Sequence, residues 1–400
     1  MKVLQVNCVY NKGSTGKITH EIHEELKRNG HSSIVCYGRG EKTEEPYVYK
    51  TCGEFYSKLQ NFRSRLTGLM YGGCAISTIK LINIIKKENP DVVHLHCING
   101  YFVNIYKLVE WLKCNNVRTV LTLHAEFMHT ANCGHAFDCE EWKTGCNNCA
   151  RYKEETKSIL FNRTHSSWKK MKKAFDGFNN LIVVSVSPWL MGRAKQSPIL
   201  ADKKHCVVLN GLDTNIFKNY DTHELRSMHG LKNEKLIFHV TPSFSREKNH
   251  LKGGYYVLKL AERLADNNVK ILVAGKYDVN IHYPSNVVLL GEIQEQELLA
   301  KYYSMADITV LASKKETFSM VCAESLCCGT PVVGFNAGAP EQISIPGFSS
   351  FVEYGNIDAL EKEVLRFLQN KVDKKEISKL ANQKYNDRQM IKEYFEIYKG

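Results

Sequence analysis

Short apolar runs alternate along this chain with longer stretches whose apolar residues recur at helical spacing. The runs in the first half are KVLQVNCV, SSIVCYG, DVVHLHC, RTVLTLH and NLIVVSVS. Those in the second half are KLIFHVT, VKILVAG, NVVLLG, ADITVLAS and TPVVGF. Each reads as a strand, and patterns such as GKITHEIHEELKRNG, with Gly30 as its stop, read as the helices between them. Strand–helix alternation on this scale predicts an α/β fold of two Rossmann-like, doubly wound domains. Two such halves facing each other leave a cleft between the carboxyl ends of both sheets, where ligands bind in this architecture. The break falls near VVLNGLDTNIFKNYDTHELR, where a strand leads into a polar stretch. The expected division is an N-terminal domain over residues 1–205, a C-terminal domain over 206–375, and a helical segment over 376–400 that packs back on the first domain. No short-period repeat and no low-complexity segment interrupts this plan.

Composition narrows the partners. Of 400 residues 43% are apolar, enough for two ordinary cores, and the net charge of +12 points to an anionic partner. That partner is a phosphorylated substrate, an anionic membrane surface or nucleic acid. The chain has no zinc-finger, ribonucleoprotein or helix-turn-helix pattern, so nucleic acid is not expected. The opening MKVLQVNCVYNKG has too short an apolar run for a signal peptide, and no later stretch is long enough to span a bilayer. Fourteen cysteines without an export signal read as thiols of a reducing compartment, so the expected location is cytoplasmic.

The chemistry gathers in ETFSMVCAESLCCGTPVVGF, where Glu316 and Glu324 lie eight positions apart. ADITVLAS supplies a buried strand, residues 314–317 a loop, and SMVCAESLCCG a helix with Ser319 as N-cap and Gly329 as its stop. The first amides of such a helix favour a phosphate. Glu316 on the loop and Glu324 two turns into the helix face the same side, and a carboxylate is a good acceptor for paired sugar hydroxyls. Either residue alone reads better as a solvated or lysine-paired carboxylate; the strand–loop–helix setting favours a site.

ETFSMVCAESLCCGTPVV resembles the E-x7-E signature of glycosyltransferase family 4, retaining enzymes of GT-B fold, and VVLNGLDTNIF resembles that family's interdomain segment. The resemblance covers nearly the whole chain. It implies that Glu324 binds the ribose of the nucleotide, that Glu316 holds donor-sugar hydroxyls, and that the amides at Phe318, Ser319 and Met320 contact the donor. It also implies an arginine and a lysine on the diphosphate, after the first strand of the second domain. In FHVTPSFSREKNHLKGG, Lys252 before Gly253 matches the lysine and Arg246 is the candidate arginine, with Lys248 as its substitute because the spacing is longer than usual. Fixed cations there stabilise a departing nucleoside diphosphate.

In the first half, NKGSTGKI is not a P-loop, since Gly13 and Gly16 are too close and Ile18 stands where magnesium needs a hydroxyl. Its small residues fit the family's first loop, where backbone approaches a phosphate, as well as they fit a plain strand–helix turn. His124, ending the strand in TLHAEF, resembles the family's histidine near the donor sugar, although the aspartate common after it is Ala125 here, followed by Glu126. His96 and Asn99 in HLHCING, and Arg65 in RSRLTGLMYGG, are candidate acceptor contacts.

Cys133, Cys139, Cys146 and Cys149 follow C-x5-C-x6-C-x2-C. The second pair has zinc spacing and the first is longer, so a structural zinc and free thiols both stand. The stretch resembles a cysteine-bearing insert in the branch of the family that builds capsular and exopolysaccharides. Phe161, Trp168, Met171 and Phe175 form one helical stripe opposite lysines, which either packs on the sheet or lies on an anionic leaflet, packing being favoured.

The function expected is a retaining, hexosyltransferase-type transfer of a sugar from a nucleotide-sugar donor, a UDP-sugar foremost, to a saccharide or lipid-linked saccharide acceptor in polysaccharide biosynthesis. The site is peripheral to the inner face of the plasma membrane in that reading. No Asp-x-Asp motif is present, so no catalytic metal is expected. A GT-B sugar-nucleotide epimerase is the alternative, and a non-catalytic sugar-nucleotide-binding protein a third reading that leaves most of the polar residues idle.

Overall fold

In a computed structural model, which describes residues 1–147 and 149–400, the alternating pattern folds into two sheets whose strand pairs are all parallel. The first holds β1 (Lys2–Asn7), β2 (Ser32–Tyr37), β3 (Val48–Lys50), β4 (Val92–Leu95), β5 (Thr119–Leu123), β6 (Leu181–Ser185) and β7 (Lys204–Val207). The second holds β8 (Lys235–Ser243), β9 (Val269–Lys276), β10 (Val287–Gly291), β11 (Ile308–Leu311), β12 (Val332–Phe335) and β13 (Ser349–Val352). Their orders are β3-β2-β1-β4-β5-β6-β7 and β10-β9-β8-β11-β12-β13. Both are doubly wound, and in each the order reverses beside the first strand, between β1 and β4 and between β8 and β11. The carboxyl ends of these two strand pairs are where such folds take ligands.

The chain divides into two units, Met1–Leu209 with Ile391–Gly400, and Asn210–Met390. The first runs past residue 205 because β7 pairs with β6 along Ile182↔Lys204 to Ser185↔Val207 and completes the sheet. The C-terminal segment is shared. Helix Lys374–Lys384 packs in the second unit, where Ser378 Oγ donates to the Cys327 carbonyl at 2.6 Å. The end of helix Asp387–Lys399 lies in the first, where the Tyr398 hydroxyl meets His94 Nδ1 at 2.6 Å and Arg118 donates to the Ile397 carbonyl at 2.8 Å.

Each core follows from the apolar runs. Val3, Leu4, Val6, Val93, Val120, Leu121 and Val183 are sealed in the first unit, and Ile237, Val257, Ile271, Val310, Val333 and Leu360 in the second. Three helices of the first unit matter below: α1 (Gly13–Arg28), α2 (Glu54–Thr67) and α3 (Ala75–Glu88). Helix α1 ends on Lys27 and Arg28, whose charges suit the negative end of its dipole. Gly30 at φ +71 then turns the chain, and the His31 amide closes on the Leu26 carbonyl at 2.9 Å. The stripe of Trp168, Met171 and Phe175 is buried on helix Thr164–Phe175 with its lysines outside, while Phe161, ahead of that helix, is half exposed. None of the described helices is long and apolar enough to cross a membrane.

Candidate functional site

In the second unit the chain leaves β11, turns through residues 312–319 and enters helix Met320–Cys327. Glu316 is pinned in that turn by its backbone, its amide donating to Ala337 O at 2.9 Å and its carbonyl accepting from the Ala339 amide at 3.2 Å. The side chain reaches Lys252, whose Nζ lies 2.6 Å from Glu316 Oε1. Lys252 owes its position to the residue after it. Gly253 has φ +67, and a Cβ there would sit 1.9 Å from the Ala312 carbonyl oxygen, so only glycine lets this segment approach the end of β11. The Lys314 amide closes the two segments on the Leu251 carbonyl at 2.8 Å.

Ser319 caps the helix, its Oγ accepting from the Cys322 amide at 3.3 Å. Its own backbone stands at φ +84, a conformation that costs a non-glycine residue about 1–3 kcal/mol. Phe318 is buried edge-on against Tyr385, and Met320 is half-buried. Further along the same helix, Glu324 Oε2 accepts from the Tyr303 hydroxyl at 3.0 Å. Burial and then the Glu324 charge push the Tyr303 phenol well above its ordinary range, so it acts only as a donor that aims the carboxylate. Tyr303 was not legible beforehand, because it lies on another helix and faces Glu324 only once both are packed. Arg246 and Lys248 are exposed on the loop that follows β8. A lysine against a carboxylate, a capped helix start and a second anchored carboxylate offer what an anionic, hydroxyl-bearing ligand requires.

The corresponding place in the first unit is built differently. The loop after β1 is held by Asn7, whose Nδ2 donates to Val9 O at 2.8 Å and whose Oδ1 accepts from the Cys97 amide at 3.1 Å. Gly13, at φ +64, opens α1 with open space around it. Gly16 is buried, and a Cβ there would stand 3.1 Å from the Val9 side chain. The Asn11 amide donates to Gly16 O at 3.0 Å, tightening the turn. His96 follows β4 and His124 follows β5, with His96 Nδ1 3.3 Å from His124 Nε2. Asn99 is half-buried beyond His96. His96 is 1% exposed, and its Nε2 lies 3.1 Å from Gln5 Oε1. The expectation that His96 touches an acceptor is therefore corrected: both ring nitrogens are engaged inside the protein. Burial holds His124 down to about 4, and burial with the neighbouring histidines holds His96 and His94 well below the usual range. Arg65, exposed in the last turn of α2, donates from Nε to the Lys157 carbonyl at 3.4 Å, and its own carbonyl accepts from the Ile159 amide at 2.7 Å.

Glu126, two residues past His124, organises the cysteine loop. Fully buried, it bonds the Arg193 guanidinium, accepts from the Ala136 amide at 2.8 Å and stands 3.5 Å from His129 Nε2. Burial would raise its carboxyl, but His129, Arg193 and the Ala136 amide outweigh it and hold the group down to about 2. His129 itself is kept low, chiefly by burial. Trp142 closes the loop, donating to the Cys139 carbonyl at 2.8 Å under the Arg193 guanidinium. Cys133, Cys146 and Cys149 are buried and Cys139 partly so. Burial raises the thiols of Cys133, Cys146 and Cys149, that of Cys146 to about 12 with the neighbouring Cys149 adding to it. No three of the four sulfurs share ligand distance among the described residues, so a zinc ion would require the loop to draw them closer. His20, Glu24 and Glu45 do come that close, but Lys27 already sits 2.8 Å from Glu24 and 3.7 Å from Glu45.

Comparison with known proteins gives the family and the fold. Residues 15–216 match the family model described as Glycosyltransferase Family 4, and residues 221–389 match Glycosyl transferases group 1. The chain is 21% identical over 434 residues, covering 100% of both, to an Escherichia coli K12 protein named "Putative colanic acid biosynthesis glycosyl transferase WcaC". Sucrose-phosphate synthase from Thermosynechococcus elongatus superposes with a TM-score of 0.66 at 14% identity, covering 100% of this chain and 98% of the other. HepE of Anabaena, solved with UDP-glucose, gives 0.63 at 15% identity and 99% coverage of each. At these identities the structural likeness is one of fold, that of the GT-B glycosyltransferases.

Proposed function

The chain belongs to glycosyltransferase family 4 and is an enzyme of hexosyltransferase type, and on that premise we propose that it transfers a sugar from a UDP-sugar to a lipid-linked saccharide with retention of configuration, during polysaccharide assembly. The observation that carries this reading is the Lys252–Glu316 pair beside the Ser319-capped helix, at the point where the second sheet reverses its strand order. In it, Lys252 and Arg246 take the diphosphate together with the amides at Phe318, Ser319 and Met320. Glu324, aimed by Tyr303, accepts from the ribose, and Glu316 accepts from the donor sugar. Gly13 and Gly16 let the backbone of the first loop come close to a phosphate, His124 meets the donor sugar, and Asn99 and Arg65 serve the acceptor. No divalent cation is needed at the diphosphate, because fixed cations and a helix start supply the charge.

The UDP-sugar is supported by the UDP-glucose in the HepE structure, and polysaccharide assembly by the name of the Escherichia coli relative. The membrane is supported by the surface of α2 and α3. Phe55, Leu59, Phe62, Ile76 and Ile79 are exposed there among Lys58, Arg63, Lys80 and Lys87, an apolar face set in basic residues that suits an anionic leaflet. Peripheral attachment to the cytoplasmic face follows in this reading. The epimerase alternative draws no support from the relatives.

The test is a panel of UDP-sugars incubated with and without a lipid-linked acceptor, with UDP release measured and the product anomer read by proton NMR. Glycosylated acceptor of the donor's configuration is expected; an inverted anomer, or a new sugar nucleotide formed from donor alone, overturns the reading. Calorimetry apportions the carboxylates: Glu324→Ala weakens UDP binding about tenfold, whereas Glu316→Ala spares it and lowers turnover. A structural zinc in the cysteine loop is decided by elemental analysis of freshly purified, reduced protein, one ion per chain supporting it and none leaving four thiols.

A further inference from the structure

A chain of hydrogen bonds runs through the first unit from α1 to His124, and its direction can be worked out from one end. Gln5, on β1 and fully buried, approaches the Thr19 carbonyl with Nε2 at 3.2 Å. A carbonyl oxygen only accepts, so the carboxamide must present its NH2 to α1 and its oxygen to the other side. On that side stands His96 Nε2, 3.1 Å from Gln5 Oε1. Two acceptors cannot bond, so His96 carries its proton on Nε2. His96 is neutral, because burial and the adjacent His94 and His124 disfavour its charge. A neutral imidazole has one proton, which leaves Nδ1 of His96 as a lone pair. His124 Nε2, 3.3 Å away, must then be the donor, and its own Nδ1 the acceptor.

The ring of His96 is also held mechanically. His94 lies against it with ring centroids 3.8 Å apart, and is itself tied to Thr122 Oγ1 at 2.8 Å and the Tyr398 hydroxyl at 2.6 Å. Those partners are hydroxyls that can donate or accept, so they fix the position of His94 without fixing its tautomer. Only the Gln5 end has a determined direction.

We infer that Gln5 and His96 are positioning residues that fix His124 as the Nε2-protonated neutral tautomer, so that His124 receives a polar hydrogen at Nδ1 and does not act as an acid. The inference deepens the proposed function and, in its catalytic consequence, rests on it: the group received at Nδ1 is a hydroxyl of the donor sugar. The tautomer itself does not depend on what the enzyme transfers.

The experiment reads the two separately. Full-length protein labelled with 15N-histidine is observed at neutral pH by long-range proton–nitrogen correlation, with His96 and His124 assigned from His96→Asn and His124→Asn variants. Both rings are expected to show a protonated Nε2 and an unprotonated Nδ1. Gln5→Leu removes the oriented acceptor and is expected to release the tautomer of His124, giving averaged nitrogen shifts, and to lower kcat about tenfold with KM for the donor little changed. Gln5→Glu places a carboxylate beside His96, which favours an imidazolium donating from Nδ1, and is expected to turn His124 to the Nδ1-protonated tautomer. A wild-type His124 protonated on Nδ1 overturns the relay, and so does a folded Gln5→Leu protein with unaltered His124 shifts. The wild-type spectrum decides the matter even if Gln5→Leu fails to fold. If the tautomer is as described and no sugar is transferred, the relay stands and the functional reading falls.

Discussion

At the ends of β8 and β11 the second unit carries an ion pair, Lys252 with Glu316; at the ends of β1 and β4 the first unit carries His96, enclosed by Gln5, His94 and His124. The two sheets share a strand order about these positions, so the difference lies in the side chains and their access to water. Lys252 and Glu316 keep 28% and 14% of their side-chain exposure, so water and the opposite partner together solvate each group. His96 is sealed, and a charge there would have no partner, so the group stays neutral and serves by direction of its hydrogen bonds. One fold position thus supports a charged cradle in one unit and a neutral, oriented one in the other. A departing diphosphate needs the first kind. In the proposed reaction a sugar hydroxyl is met by the second.

The largest effect should come from discharging the cradle. Lys252→Ala is expected to lower kcat about 10²–10³-fold, the usual loss when one fixed electrostatic stabiliser of a leaving group is removed. A brief EDTA treatment should cost far less than that substitution. Activity that vanishes on chelation and returns only with Mg²⁺ or Mn²⁺ would reverse this ranking and make a bound cation the chief stabiliser. His96→Asn, at the equivalent place in the first unit, should cost less than Lys252→Ala, because no charge is lost.

The first unit is not without buried charge, but it keeps that charge away from the strand ends, in Glu126 and Arg193. Its removal should appear in stability. The Glu126 carboxyl is held down to about 2 in the folded chain, against about 4.3 when unfolded. Its contribution, about 3 kcal/mol by linkage, is therefore complete above pH ~4.3 and lost as pH falls toward about 2. All four tryptophans, Trp111, Trp142, Trp168 and Trp189, belong to the first unit, so their fluorescence reports its unfolding alone. Urea midpoints read this way should fall from pH 5 to pH 3 in the wild type. In Glu126→Gln they should be lower at pH 7 and fall less steeply over the acid range, the remaining slope belonging to carboxylates such as Glu24 and Glu54, which are also held low. Equal acid slopes in the two proteins would mean that Glu126 is not the group that titrates.

These contrasts were unevenly legible in the chain. The ten apolar runs read as strands are all strands, since burial on both faces of a parallel sheet leaves an unbroken Val, Ile and Leu signature. β3 (VYK) and β13 (SSFV) were missed, and β7 (KHCV) was read only as a strand leading into the break at VVLN; all three lie at sheet edges, short and partly exposed, and carry no such run. Glu316 and Glu324 stood out because strand, loop and helix follow one another locally. Lys252 stood out only through the family resemblance, and the contacts that hold these carboxylates and His96 did not. Lys252 meets Glu316 across 64 residues, Tyr303 meets Glu324 from another helix, and Gln5 meets His96 across 91. Gln5 in particular lies inside an apolar strand run, where a polar residue gives no hint of the imidazole it will face. Partners brought together by tertiary packing leave no spacing to read.

The smallest effect on the enzyme itself should come from the outer surface, where the two units differ again. In the first, Phe55 is 81% and Ile76 72% exposed, and they share the face of α2 and α3 with Leu59, Phe62, Ile79 and four basic residues. The helices are tied side by side, the Cys74 amide donating to Gln60 Oε1 at 3.2 Å and the Ile76 amide to the Tyr56 hydroxyl at 3.4 Å. In the second unit the exposed large apolar residues, Met228, Val279 and Leu380, come from separate parts of the chain. Isolated apolar side chains need no explanation, whereas five on two linked helices, interspersed with lysine and arginine, do. If α2 and α3 rest on an anionic leaflet, the double substitution Phe55→Ser and Ile79→Ser removes apolar area that water already sees. Stability should then change by no more than about 0.5 kcal/mol, as for other surface substitutions. Turnover on a water-soluble acceptor should be unchanged, while partition onto vesicles containing phosphatidylglycerol should fall about tenfold. The wild type should bind those vesicles more weakly as salt is raised, and should not bind purely zwitterionic ones, because the basic rim supplies the attraction. Flotation assays finding wild type and variant equally bound, or equally unbound, at low salt would remove the membrane from this face and leave the patch as a docking surface for a second protein.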